Sequence, residues 1–125
     1  MTGGPIGFSC DIANLPCNYK EFWKKAIIEF KEDRDLYSQG NARILVDAND
    51  VIAIEYADKS FKKCILQVFT KNSHLTDLTI YPVVDETAEY EYIDKKLTGK
   101  DIKENGLTLE KIIENDCIII RLIKK

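Results

Sequence analysis

Tyr19, Phe22, Trp23, Ala26, Ile27 and Phe30 recur at the three- and four-residue steps of one helical face, while Lys20, Lys24, Lys31 and Glu32 fall on the other. A stripe this apolar has to be covered, so the rest of the chain must supply an opposing apolar surface. Pro16 breaks the chain just before the pattern. Asn18 stands where an N-cap belongs, Glu21 completes a capping-box arrangement, and Gly40 is a natural terminator. The spacing predicts one long amphipathic helix from Asn18 to about Leu36.

The remainder reads mostly as strand. Ile6, Phe8 and Cys10 alternate with Gly7, Ser9 and Asp11, the period of a half-buried strand. Ile44 to Val46, Val51 to Tyr56 and Phe61 to Phe69 are rich in branched and aromatic residues, and Asp58-Lys59-Ser60 supplies a hairpin turn between the last two. Leu78, Ile80, Pro82 and Val84 predict a fourth strand, which Pro82 confines to a sheet edge or a strand end. Thr98-Gly99-Lys100 and Asn105-Gly106 read as loop, and Thr108 as the cap of a short helix reaching Asn115. The run from Cys117 to Ile123 suits a strand covered on both faces and is expected to be the most buried one.

The expectation is therefore an α+β fold. A mostly antiparallel or mixed sheet of about five or six strands carries the long helix on one face, with a short second helix near the C-terminus. At 125 residues, 45% hydrophobic and 31% charged, the chain has the size and balance of a single globular domain spanning residues 1–125.

Charge and cysteine usage exclude several function classes. The net charge is −3, from 21 acidic and 18 basic residues, and the basic residues cluster only in pairs such as Lys24-Lys25 and Lys62-Lys63. Phosphate neutralisation needs a basic stripe, so direct nucleic-acid binding is not expected. Cys10, Cys17, Cys64 and Cys117 contain no CxxC pair, which removes the usual zinc, redox and cluster motifs. Four reduced thiols in a cytoplasmic protein are the natural reading. Met1 to Phe8 lacks the basic and apolar regions of a secretory signal, and no apolar run is long enough for a membrane span.

No catalytic, metal or cofactor site emerges. The single histidine, His74, sits in a polar stretch, and Cys10 and Cys64 lack the basic setting that activates a thiol. Gly99-Lys100 has neither the upstream glycine nor the following Ser or Thr of a phosphate loop. Asp47, Asp50 and Glu55 cluster around a strand end, and Asp47-Ala48-Asn49-Asp50 begins like a calcium loop, but Ile52 stands where the loop requires glycine, so a tight turn between strands explains it better.

One local bias remains. Asp85, Glu86, Glu89, Glu91 and Asp94 fall in a stretch without a base, interleaved with Tyr90 and Tyr92. Tyrosine is enriched at interfaces and acids steer a basic partner, so these seven residues are the candidate partner-binding set. If the stretch is extended, both tyrosines share one side and Glu89 and Glu91 the other. The expected function is a non-enzymatic protein-binding module, an inhibitor or immunity-type protein that neutralises a basic partner such as a toxin nuclease. The alternative is a small enzyme or ligand-binding domain with a pocket between the first helix and the sheet, lined by residues such as Trp23, Tyr56 and Tyr81.

Overall fold

The computed structural model describes residues 12–71, 77–92, 95–110, 112–114 and 116–125. The expected strand at Ile6 to Cys10 and the candidate base His74 lie outside them. The chain divides into two compact units, with the boundary between Gln39 and Gly40.

The first unit holds a short 3-10 turn, Ile12–Asn14, and helix α1, Cys17–Gln39. At 23 residues, α1 is about 35 Å long. It begins two residues earlier than its capping signal suggested. The Pro16 carbonyl accepts the first helical bonds, from Tyr19 N (3.0 Å) and Lys20 N (3.1 Å). Glu21 pairs instead with Lys24 at 3.1 Å. Leu36 is buried and Trp23, Ala26, Ile27 and Phe30 are half-buried, but Phe22 is 64% exposed. Asp33 of α1 is a buried carboxylate.

The second unit is built on a six-stranded antiparallel sheet in the order β1-β2-β3-β8-β5-β6. Its strands are β1 (Asn41–Asp47), β2 (Val51–Ala57), β3 (Lys63–Thr70), β5 (Glu89–Tyr92), β6 (Lys95–Thr98) and β8 (Cys117–Lys124). A second sheet pairs β4 (Asp77–Ile80) with β7 (Leu107–Glu110). The β1–β2 turn closes with reciprocal bonds between Ala48 and Val51, so Asp47, Asn49 and Asp50 belong to a tight hairpin. In the β2–β3 turn Asp58 accepts hydrogen bonds from Ser60 N and Lys63 N, and Phe61 takes a positive φ of 53°.

Every second residue of β2 is buried, and those positions pack with Leu66 and Val68 of β3, Ile120 and Leu122 of β8, Ile80 of β4 and Leu107 and Leu109 of β7. The two sheets therefore share one apolar core. The most buried strand is β3, not the C-terminal β8: Cys64, Leu66 and Val68 are sealed on one face, Ile65 and Gln67 on the other. β8 lies between β3 and β5 but leaves Ile123 45% exposed.

The short helix is displaced from its expected place. Helix α2 is Gly99–Asn105, and Leu107–Glu110 is strand. Thr98 caps α2 by accepting from Asp101 N at 3.0 Å, and Gly106 closes it at φ 70° with its N–H on the Ile102 carbonyl. The two glycines that read as loop are the residues that let this helix start and stop. As Pro82 required, β4 ends before it.

Candidate functional site

The segment joining β4 to β5, residues 81–88, runs across the second unit and gathers most of its polar chemistry. Its first anchor is Glu55, whose side chain is fully buried at an inward position of β2. Oε1 accepts the Val83 N–H at 2.9 Å, and Oε2 faces Arg43 Nη1 at 3.0 Å. Burial pushes the Glu55 carboxyl above the ordinary glutamate range, and the bonds from Arg43 and Val83 pull it only partly back. Arg43 also lies over the Phe61 ring, 5.7 Å from its centroid.

The second anchor is Tyr90. Its ring is fully buried, and its hydroxyl accepts from Asp85 N at 2.9 Å while donating to the Phe61 carbonyl at 3.1 Å. Burial raises the phenol above its usual value. Strand alternation puts Tyr92, half-buried against the same core, on the side of Tyr90 and turns Glu89 outward. The tyrosine side chain expected to meet a partner at Tyr90 is thus a core residue.

The acids of the segment have partners within the fold. Asp85 takes Lys124 Nζ at 2.8 Å and also accepts from Thr87 N and Oγ1. The Lys124 bond leads in holding its carboxyl down at about 2. Glu86 is paired with Lys103 of α2, and Glu91 with Lys125. The hydrogen bond from Lys125 lowers Glu91 as well. Glu89 is exposed on β5, and Asp94 lies outside the described residues.

Each unit has a hollow among its described residues. On α1, Asn18, Tyr19, Phe22 and Trp23 line a hollow of about 350 Å³. In the second unit a cavity of about 260 Å³ is lined by Tyr81, Pro82, Val83, Val84, Glu86 and Lys103. Tyr81 is 57% exposed and stands against Gly106, where a Cβ would come within 3.0 Å of its Cε1. Trp23 lines the first of these hollows and Tyr81 the second.

Among the described residues no three His, Cys, Asp or Glu side chains are grouped to hold a metal ion. Cys17, Cys64 and Cys117 are free thiols. Burial, reinforced by Glu55 and Asp58, pushes the Cys64 thiol up to about 12, the opposite of an activated nucleophile. No helix among the described residues is long and apolar enough to cross a membrane.

No family model and no curated protein matches the chain. Solved structures do. The GH36 alpha-galactosidase AgaB of Geobacillus stearothermophilus matches with a TM-score of 0.82 at 16% identity, over 92% of this chain and 17% of its own. An AgaA variant from the same organism, in complex with stachyose, matches equally well over the same shares. The alpha-galactosidase from Lactobacillus brevis gives 0.81 at 14% identity, over 92% of this chain and 18% of its own. The likeness is one of fold. The chain spans under a fifth of the length of the structures it matches.

The residue that sequence reasoning passed over is Glu55, grouped there with the turn acids Asp47 and Asp50. Its phase was not legible, because Ile52, Ile54 and Tyr56 are as apolar as Val51, Ala53 and Ala57, and only the structure puts Glu55 in step with the buried set. An acid on the inward phase needs a buried partner.

Proposed function

We propose that this chain is a non-catalytic protein-binding module, an accessory β-domain that works joined to the catalytic body of a glycoside hydrolase. One observation of proportion carries the reading: almost all of this chain corresponds to a small part of larger alpha-galactosidase chains. The acids support a non-catalytic role. Glycoside hydrolysis uses two carboxyl groups facing one another across an open cleft. Here Glu55 is buried under Arg43, and Asp85, Glu86 and Glu91 are each committed to a lysine. Tyr19, Phe22 and Ile28 on α1 and Ile44 on β1, each more than half exposed, offer the apolar contact that a protein interface uses. The free thiols Cys17, Cys64 and Cys117 suit a cytoplasmic setting.

The test is to read the coding sequence on either side and co-express its product with this chain. A glycoside-hydrolase body should co-purify with the chain in equal amounts and melt at a higher temperature than when made alone. Hydrolysis of an aryl α-galactoside by this chain alone would overturn the non-catalytic role. An inhibitor docking through Asp85, Glu86, Glu89 and Glu91 is the second reading, supported by the outward position of Glu89. A neighbouring secreted toxin that forms a complex with the chain would favour it instead.

A further inference from the structure

The segment from Tyr81 to Val84 is held more firmly than a connecting loop requires. Burying Glu55 is costly, and besides its pairing with Arg43 the carboxylate serves to fix the Val83 N–H. Downstream, Asp85 is tied to Lys124 and its N–H to the Tyr90 hydroxyl. Pro82, just before the Val83 anchor, is buried, while Tyr81 and Val83 are turned outward, 57% and 42% exposed. Gly106 offers bare backbone beneath one edge of the Tyr81 ring, so the ring is propped where a side chain would displace it. A rigid loop presenting an exposed aromatic ring has the character of a binding element and not of a linker.

The cavity beside this ring has the matching chemistry. Its volume of about 260 Å³ suits one sugar ring, and its apolar wall of Tyr81, Pro82, Val83 and Val84 suits the C–H face of a pyranose. At the rim, the Glu86–Lys103 pair sets an acceptor next to a donor, as adjacent sugar hydroxyls require. A fatty ligand would leave that pair unused, and an anion would meet the Glu86 carboxylate. A neutral, hydroxyl-rich ring uses both features.

We propose that this cavity is a saccharide subsite for a neutral hexopyranoside, with Tyr81 as its stacking platform and Glu86 and Lys103 as its hydroxyl partners. Only the choice of a galactoside as probe rests on the accessory-domain reading; the cavity itself does not.

The experiment titrates the folded chain with methyl α-D-galactopyranoside and follows backbone amide resonances. Those of Tyr81, Val83, Val84 and Lys103 should shift together and saturate in the millimolar range, about where so small a ligand belongs. Tyr81→Ala should weaken the interaction by about tenfold or more, and Tyr81→Phe should keep it within about twofold. Glu86→Gln and Lys103→Met should each weaken it without changing the melting temperature. Shifts that never saturate, that glycerol reproduces, or that survive Tyr81→Ala overturn the proposal. Co-purification with a catalytic body is scored separately on the Tyr81→Ala protein, so the two readings fail independently.

Discussion

The backbone of Gly99 stands so close to Asp85 that a Cβ would lie 2.0 Å from the Asp85 carbonyl oxygen. Gly99 N also donates to the Ala88 carbonyl at 2.8 Å, so the first residue of α2 is seated inside the bend of the 81–88 segment. The atom in the way is backbone, and no rotamer change can relieve the clash. Gly99→Ala should therefore cost about 1–3 kcal/mol, the range for forced overpacking, read as a lower urea midpoint. A loss below about 0.5 kcal/mol, the size of an ordinary surface change, would mean that this approach is looser than described.

The Tyr90 hydroxyl serves two backbone groups, Asp85 N and the Phe61 carbonyl, from a fully buried position. Tyr90→Phe keeps the ring and removes both bonds. Stability should fall by about 1–3 kcal/mol, because buried polar groups lose their partner. A neutral result would show that water replaces the hydroxyl.

Glu55 sets a pH dependence of definite sign. Burial places its folded-state pKa above the ordinary glutamate value, so folding favours the protonated form. Its contribution is fully present below the unfolded value and is lost as pH rises through the folded one. The stability difference between the parent chain and Glu55→Gln should therefore shift against the parent across that window, measured by urea unfolding at a series of pH values. Asp58, held low by its bonds to Lys63 and Ser60 despite some burial, is common to both proteins and cancels. A flat or inverted difference would refute the assignment.

Removing the cation that faces Glu55 has a different effect. Arg43→Met leaves a fully buried carboxylate with the Val83 N–H. The loss should be about 3 kcal/mol, the low end for a broken buried pair, because Arg43 itself is 35% exposed. Unfolding by urea measures it, and a change under about 1 kcal/mol, the worth of a surface pair, would place Glu55 in contact with water.

Thiol reactivity should divide sharply among the cysteines. Cys17 is exposed on α1, whereas Cys64 is sealed in β3 with its pKa at about 12. At mildly alkaline pH a disulfide reagent should label Cys17 at once and Cys64 only as the chain unfolds. Rapid labelling of Cys64 in the native protein would contradict its burial.

The elements legible in the sequence are those whose cause is local. Tyr19 to Phe30 announced α1 by period, Pro82 marked the end of β4, and Asp58 to Ser60 marked the β2–β3 turn. What was missed depends on distant partners. Gly99 looked like loop because its reason for being glycine, the carbonyl of Asp85, is remote in sequence. Thr108 looked like a cap because its pairing with Thr79 across β4 and β7 has no local trace. The acidic run was visible as composition, but the lysines that answer it come from α2 and the end of β8. Sheet formation turned Tyr90 inward and made it a structural residue.

The position of β8 between β3 and β5 bears on how the protein is made. Its strands β1, β2 and β3 can pair as they leave the ribosome, and so can β5 with β6. Those two parts have no ladder in common until residues 117–124 emerge and slot between them. Until then β3, the most buried strand, presents an open edge from Lys63 to Thr70, a template for pairing with another nascent chain. Closure of the sheet is a late, long-range event, slow by its topology. Cellular yield should then depend on how fast β8 arrives and on what shields β3 while it waits.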